Sequence, residues 1–237
     1  MRRTALVTGA GRGIGRATAL RLAEAGFDLA LLALERDELD AVAEEARAHG
    51  ATARVHAVDV GDAEAFERRL GACDAACGGI DVLINDAGTI RLPDDLAGAT
   101  RDGWDRTMAV NARAPFLACR RLLPGMRARG FGRVVNVAST AGLRGLPERL
   151  AYVASKHALV GLTRALAAEV RDPGVTVNAV CPGAVRTRLT EGSRPDADRR
   201  GWLEPDDVAA QIAWLCGPDA ARVHGAVVEL ADRDPLD

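Results

Sequence analysis

The sequence is poor in aromatic residues, which make up 3% of its 237 residues, although 48% of the chain is hydrophobic. Small and branched aliphatic side chains therefore have to fill the core, a composition that suits helices packed on a buried sheet. The length is ample for one α/β domain with a large core, so we expect a single domain over residues 1–237.

The chain also lacks a basic block, a paired cysteine motif and a long apolar run. Its formal net charge is -2, from 31 basic and 33 acidic residues, which argues against a nucleic-acid partner. The 5 cysteines form no Cys-x-x-Cys pair and have no partners at ligand spacing, so we expect free thiols in a reducing cytoplasm and no metal site. With no apolar stretch of about 18 residues and no signal peptide, we expect no membrane span.

Apolar runs of strand length alternate with longer helical patterns. The expected strands are Thr4–Thr8, Phe27–Ala33, Ala53–Val58, Val82–Asn85, Arg133–Ala138, Val175–Val180 and Ala226–Leu230. The expected helices are Ile14–Ala25, Glu35–His49, Ala63–Cys77, Arg101–Arg129, Ala151–Val170 and Pro205–Leu215. This alternation predicts an α/β fold, a Rossmann-like doubly wound parallel sheet of about seven strands with helices on both faces. Ligands bind at the carboxyl ends of such strands.

A glycine-rich turn joins the first expected strand to the first expected helix. Glycines permit a tight turn and a close backbone approach to a pyrophosphate, and the helix N-terminus adds N–H donors. The turn therefore predicts a dinucleotide site. We assign to this site Gly9, Arg12, Gly13, Ile14 and Gly15.

The end of the second expected strand bears on which dinucleotide binds. An acidic side chain there would bind the ribose hydroxyls of NAD and repel the extra phosphate of NADP. Ala33 and Leu34 occupy that place, and Glu35 comes late for such a role. Arg12 and Arg36 are placed to meet a phosphate. The sequence therefore favours NADPH, with NADH as the alternative.

Tyr152, the only tyrosine, and Lys156 are four residues apart in a helical pattern, so they share one helical face. A tyrosine with a pKa of about 10 is a poor acid or base at neutral pH, and a nearby ammonium lowers that pKa. Ser139 follows the strand Arg133–Ala138 and can donate a hydrogen bond to a carbonyl oxygen. Such a Tyr–Lys pair is common on helix surfaces, but together with Ser139 at the sheet edge it indicates an active site.

These motifs follow one another in a fixed order. The order is the Thr-Gly-x-x-x-Gly-x-Gly loop, Asp59, Asn85-Asp86-Ala87-Gly88, Asn111, Ser139, Tyr152-x-x-x-Lys156 and Pro182-Gly183. The set resembles that of the short-chain dehydrogenases/reductases over nearly the whole chain, up to about Leu230. Within that family it is similar to 3-oxoacyl-(acyl-carrier-protein) reductases and polyketide ketoreductases.

The resemblance implies an NAD(P)-dependent enzyme that transfers a hydride between nicotinamide and a ketone or secondary alcohol. It implies that Tyr152 is the general acid or base, that Lys156 lowers its pKa and binds the nicotinamide ribose, and that Ser139 polarises the carbonyl. Asn111, within the expected helix Arg101–Arg129, resembles the residue that holds a water in a proton relay. The other implied cofactor contacts are Asp59, Val60, Asn85, Ala87, Gly88, Pro182, Gly183, Val185 and Thr187.

The chain departs from the family pattern at Asp86, in the substrate loop and at Val228–Asp232 near the C-terminus. Asp86 stands where an asparagine is usual, and an ionised carboxylate only accepts hydrogen bonds. The substrate loop near residues 184–203 is short, with Glu191–Gly201 its expected mobile part. A short loop favours a site that is open, and so admits a bulky or carrier-tethered substrate, or one that is closed by a neighbouring subunit. The expected partner is a small-molecule or carrier-tethered carbonyl substrate. The expected substrate contacts are Ser139, Leu143, Arg149, Tyr152 and Leu189.

Two other functions stay open. A sugar or small-alcohol dehydrogenase of the same family carries the same motifs, and a non-catalytic dinucleotide-binding module carries the glycine loop. A module has no need of Asn111, Ser139, Tyr152 and Lys156 together, which favours the enzyme. The resemblance also implies a homotetramer or homodimer built on the helices around Arg101–Arg129 and Ala151–Val170.

Overall fold

Seven parallel strands form one sheet in residues 2–231, the part of the chain that the computed structural model describes. Their order across the sheet is β3-β2-β1-β4-β5-β6-β7. The strands are β1 (Thr4–Thr8), β2 (Asp28–Ala33), β3 (Ala53–Ala57), β4 (Val82–Asn85), β5 (Gly132–Val137), β6 (Val175–Pro182) and β7 (Val227–Leu230). The order reverses between β1 and β4, and at such a switch point a doubly wound sheet opens a ligand crevice.

Helices cover both faces of the sheet, which confirms the predicted fold. They are α1 (Gly13–Glu24), α2 (Arg36–Ala48), α3 (Ala63–Cys77), α4 (Arg101–Met108), α5 (Ala114–Arg129), α6 (Leu150–Glu169), α7 (Arg188–Ser193) and α8 (Pro205–Cys216). Within residues 2–231, no helix combines the length and the hydropathy that a bilayer span requires.

Strand β1 shows how the sheet divides the core. All five of its residues are buried, and successive side chains point to opposite faces. Ala5 and Val7 pack in the cluster that includes Leu22 of α1, whereas Leu6 packs in the cluster that includes Phe66 of α3. Burial on both faces explains why the strands read as continuous apolar runs.

The structure corrects two expectations about local structure. The expected helix Arg101–Arg129 is interrupted by a π-helical turn at Ala109–Arg113, a feature that single-residue periodicity does not reveal. The expected loop at residues 184–203 contains the short helix α7, whose first residue is Arg188. The Thr187 hydroxyl accepts a hydrogen bond from the Thr190 backbone N–H and caps this helix.

Candidate active site

A cleft of about 1110 Å³ lies at the carboxyl ends of the strands. The glycine loop after β1 forms one wall, and residues of α6 and the segment leading into α7 form the other. The predicted catalytic and cofactor residues on its lining are Gly9, Arg12, Gly13, Ile14, Asp59, Val60, Ala87, Gly88, Ser139, Tyr152, Lys156, Pro182, Gly183, Val185 and Thr187. Topology thus brings residues from distant parts of the sequence to one edge.

The loop requires glycine because its backbone conformation and its close packing leave no room for side chains. Gly9 and Gly13 have φ angles of 71° and 55°, in the left-handed region that glycine adopts freely. A β-carbon on Gly15 would collide with the carbonyl oxygen of Gly9. The N-terminus of α1 therefore opens directly onto the cleft, and its free N–H groups and partial positive charge suit a pyrophosphate.

Two predicted cofactor residues support the site from behind rather than line the cleft. Gly15 is buried in the first turn of α1. The Asn85 side chain is buried, and its Nδ2 donates to Oδ1 of Asn136 at 2.8 Å. Asn85, the last residue of β4, thus ties β4 to β5 beneath the cleft and is not on its lining, so its contact with the adenosine side stays a prediction.

Asp59, the expected adenine contact, lines the cleft in an ion pair. Both of its carboxylate oxygens accept from the Arg106 guanidinium at 2.9 Å, and Oδ1 also accepts from the Gly61 N–H. Burial by itself would raise the pKa of Asp59, but these hydrogen bonds outweigh it and hold the pKa below its ordinary value. Sequence reasoning missed Arg106, which belongs to α4 and lies far from Asp59 along the chain.

Tyr152, Ser139 and Lys156 come together at the other end of the cleft. Ser139 lies close enough to Tyr152 to affect its pKa, and Lys156 Nζ lies 5.7 Å from the centroid of the Tyr152 ring. Lys156 is buried, and its Nζ donates to the Val137 carbonyl at 2.8 Å. Lys156 is the only lysine in the chain, just as Tyr152 is the only tyrosine, and the composition alone shows both facts.

The pKa of Tyr152 differs from the sequence-based expectation. Burial raises it above its ordinary value, and Ser139 and the charges of Arg194 and Arg149 offset only part of that rise. Burial also lowers the pKa of Lys156 to about 8, against the opposing charge of Asp86. In the protein alone, the pKa of Tyr152 is therefore raised, whereas the sequence predicted that Lys156 would lower it. The Lys156 ammonium donates to a backbone carbonyl instead.

Asn111 lies in the π-helical turn and is fully buried. Its Oδ1 accepts from the Thr89 N–H at 2.8 Å, while Nδ2 donates to the Thr89 carbonyl at 2.9 Å and to Ser155 Oγ at 3.0 Å. The extra residue of a π turn lets this side chain reach the segment after β4 and α6 at once. The bonds fix the loop beside Gly88, and the water-holding role of Asn111 remains a prediction.

Asp86 lines the cleft beneath the glycine loop. Its Oδ2 would lie 2.7 Å from a β-carbon on Gly15 and 3.2 Å from one on Gly9, so the carboxyl packs directly against the loop. Burial raises the pKa of Asp86 to about 7, although the charge of Lys156 opposes the rise. The carboxyl that replaces the usual amide therefore holds a proton over much of the acidic range.

Asp94 is a site residue that the sequence did not reveal. It is 3% exposed, and its carboxylate oxygens accept from the backbone N–H groups of Ala151 and Tyr152 at 2.9 and 3.1 Å. A carboxylate at a helix N-terminus satisfies free N–H groups and favours the helix dipole. Because Asp94 is remote in sequence from α6, only the fold shows that it positions the helix turn that carries Tyr152.

The expected substrate contacts divide into two groups. Leu189 on α7 lines the cleft, as do Tyr152 and Ser139. The structure instead packs Leu143 against a small apolar cluster that includes Leu159, and it binds the Arg149 guanidinium to the Ser193 carbonyl at 2.7 Å. Leu143 and Arg149 are not on the cleft lining of the protein alone, so their contact with substrate stays a prediction, and Arg149 contributes positive charge at Tyr152.

Comparison with known proteins identifies the family. Residues 3–198 match the family model described as short chain dehydrogenase. The chain is 35% identical to D-beta-hydroxybutyrate dehydrogenase of Rhizobium meliloti (strain 1021), covering 97% of each protein. It is 31% identical to a 3-oxoacyl-(acyl-carrier-protein) reductase of Staphylococcus aureus (strain Mu50), again covering 97% of each.

A solved structure from Beutenbergia cavernae, described as an NAD(P)-dependent gluconate 5-dehydrogenase with bound NADP at low occupancy, superposes with a TM-score of 0.89 at 36% identity. The match covers 96% of this chain and 94% of that one. The chain therefore belongs to the short-chain dehydrogenase/reductase family and is an NAD(P)-dependent oxidoreductase that acts on CH–OH groups.

Proposed function

We propose that this short-chain dehydrogenase/reductase is a ketoreductase that reduces the 3-oxo group of an acyl substrate to the alcohol. The observation that carries it is that Tyr152, Ser139 and Lys156 line the cleft together, with the pKa of Tyr152 raised above its ordinary value. A phenol that stays protonated at neutral pH is ready to donate a proton to a carbonyl oxygen. Ser139, which lines the cleft close to Tyr152, is placed to polarise the same oxygen.

Each side chain then has a defined task. The bound nicotinamide dinucleotide supplies or accepts the hydride, and the protein supplies position and electrostatics. Ser139 orients the carbonyl, and Tyr152 donates its proton to the oxygen as negative charge develops there. Lys156, held by the Val137 carbonyl, provides a positive charge that stabilises the phenolate that remains. Asn111 keeps the adjoining backbone in place through Thr89.

Two relatives support a 3-oxo substrate. One is named for beta-hydroxybutyrate and the other for 3-oxoacyl groups, and both names place the reacting oxygen on the third carbon of an acyl chain. Arg149 and Arg194 add positive charge near Tyr152, which suits an acyl group that carries negative charge. The cleft is bounded by the short α7 segment, and a small or carrier-tethered acyl group fits that arrangement.

NADPH is the reductant that we propose, with NADH as the alternative. Ala33 and Leu34 give the end of β2 no acid of its own, which favours the phosphorylated cofactor. The structural neighbour described with bound NADP lends support. The sequence predicted that Arg12 and Arg36 bind the phosphate, but in the structure they pair with Glu38 and Asp40. The two arginines therefore support the NADPH preference less than the sequence suggested.

A second candidate is a sugar or small-alcohol dehydrogenase. The observation that favours it is the 36% identical structural neighbour named as a gluconate 5-dehydrogenase. A binding module without catalysis is the weakest alternative, because it gives no role to Tyr152 in the cleft or to the buried Lys156 and Asn111.

A substrate panel read by nicotinamide absorbance, run with both cofactors, tests the proposal. The panel contains a 3-oxoacyl thioester, a free 3-oxo acid, cyclic ketones and sugar acids, and Tyr152→Phe serves as the blank. We expect the 3-oxo substrates to give the highest kcat/KM and the blank to lose nearly all turnover. Turnover of sugar acids alone would contradict the 3-oxo assignment and favour the second candidate.

We further propose that the protein acts in the cytoplasm as a homotetramer or homodimer. Trp104 of α4 and Phe116 of α5 each leave 43% of their surface exposed on the helices expected to form the interface. Large exposed apolar side chains are common at subunit contacts. Light scattering on the full chain should give a mass of two or four subunits, and a monomer would contradict this proposal.

A further inference from the structure

Glu38, in the first turn of α2, places a carboxylate over the glycine loop. A β-carbon on Gly11 would lie 3.0 Å from Oε2 of Glu38 and 3.8 Å from the β-carbon of Ala33. The Glu38 side chain is 26% exposed and lines the cleft. The carboxylate therefore stands at the end of β2, although it comes from the following helix.

This is the place where the ribose of a dinucleotide binds in a Rossmann-like sheet. Its hydroxyls are ordinarily met by an acid at the end of the second strand. Ala33 has no polar group to offer there, and Leu34 is exposed. The chain turns from β2 into α2 and places the Glu38 carboxylate at the end of β2, where the strand itself has no charged side chain.

Two arginines already bind this carboxylate. Arg12 Nη1 lies 3.2 Å and Arg188 Nη1 3.0 Å from Oε1 of Glu38. Arg12 belongs to the glycine loop and Arg188 begins α7, so Glu38 links the two walls of the cleft. A phosphate at this place would be repelled by Glu38. The two guanidinium groups that could bind the phosphate are already paired with that carboxylate.

We propose that Glu38 sets the discrimination between NADH and NADPH in this enzyme, because its carboxylate opposes the 2′-phosphate and holds Arg12 and Arg188 away from it. The inference rests on the assignment of the cleft to a nicotinamide dinucleotide. It makes the NADPH preference a narrow one, limited by Glu38, and it predicts that both cofactors support turnover.

The test measures the Kd of NADH and of NADPH by nicotinamide fluorescence, without substrate, for the wild type and for Glu38→Gln. Glutamine keeps the shape of the side chain and removes its charge. We expect the preference for NADPH over NADH to rise on the order of tenfold, and the gain to shrink as salt screens the charges. Glu38→Gln combined with Arg188→Gln should lose most of that gain.

Asp37→Asn is the matched control, because Asp37 is the neighbouring exposed acid of the same helical turn. It removes the same charge from the helix N-terminus and should leave the ratio of the two Kd values within about twofold of the wild type. An unchanged ratio in Glu38→Gln, or a shift toward NADH, would overturn the inference. Because binding is read without substrate, failure of the 3-oxo assignment cannot produce either result.

Discussion

The two ends of the cleft are built in different ways. At the catalytic end, buried hydrogen bonds hold Lys156 on the Val137 carbonyl and Asn111 on Thr89. At the adenosine end, partly exposed ion pairs join Glu38 to Arg12 and Arg188. Buried polar groups have few alternative partners, whereas exposed charges exchange partners with ligands and solvent. The reaction type is therefore fixed by geometry, and the cofactor preference is adjustable by single charges.

Replacement of Lys156 with glutamine should have the largest effect at the catalytic end. The change removes the only ammonium from a buried site and leaves the Val137 carbonyl with a neutral partner. We expect kcat/KM to fall by about 10²–10⁴, the usual contribution of a positioned acid–base group. Steady-state kinetics at matched thermal stability provides the measurement, and a loss below tenfold would contradict the role of Lys156.

Replacement of Asp94 with alanine should have the next largest effect. It removes the acceptor of the Ala151 and Tyr152 N–H groups, and a small displacement of Tyr152 is enough to lower kcat by about 10- to 100-fold. The Kd of the cofactor should stay within about twofold, since the adenosine end is untouched. Asp94→Asn keeps one acceptor and should restore part of kcat; equal loss in both variants would argue against a positioning role.

Replacement of Asp86 with asparagine should have a smaller effect, which depends on pH. Because burial raises the pKa of Asp86 to about 7, its contribution to stability is fully present below its ordinary pKa and is lost as pH rises through about 7. Asp86→Asn removes this loss, so its Tm should gain on the wild type between pH 5 and pH 8, on the order of 3 °C. A difference in Tm that does not change with pH would contradict this account.

Much of the fold and of the catalytic end could be predicted from the sequence. Nearly continuous apolar runs such as Val134–Val137 predict buried strands, and the spacing of Tyr152 and Lys156 predicts that they share one helical face. Contacts between distant segments could not be predicted in this way. Asp94 reaches α6 and Arg106 reaches Asp59 across the fold, and Asn85 turns into the core because its neighbour Asn136 accepts its hydrogen bond.

The adenosine end was harder to predict for a related reason. The sequence places Arg12 and Arg36 near a phosphate, but it does not show which carboxylates neutralise them. In the structure, α2 begins beside the glycine loop, and its Glu38 forms the ion pair with Arg12. The direction of the Tyr152 pKa was likewise out of reach, because burial decides it and burial depends on the folded surroundings.

The separation of the two ends is tested most directly by measuring kcat and the Kd of both cofactors side by side in Tyr152→Phe and Glu38→Gln. We predict that Tyr152→Phe loses nearly all turnover and keeps both Kd values, whereas Glu38→Gln keeps turnover and changes the ratio of the Kd values. Substantial turnover in Tyr152→Phe, or a loss of turnover in Glu38→Gln with an unchanged ratio, would contradict the division of labour between the two ends.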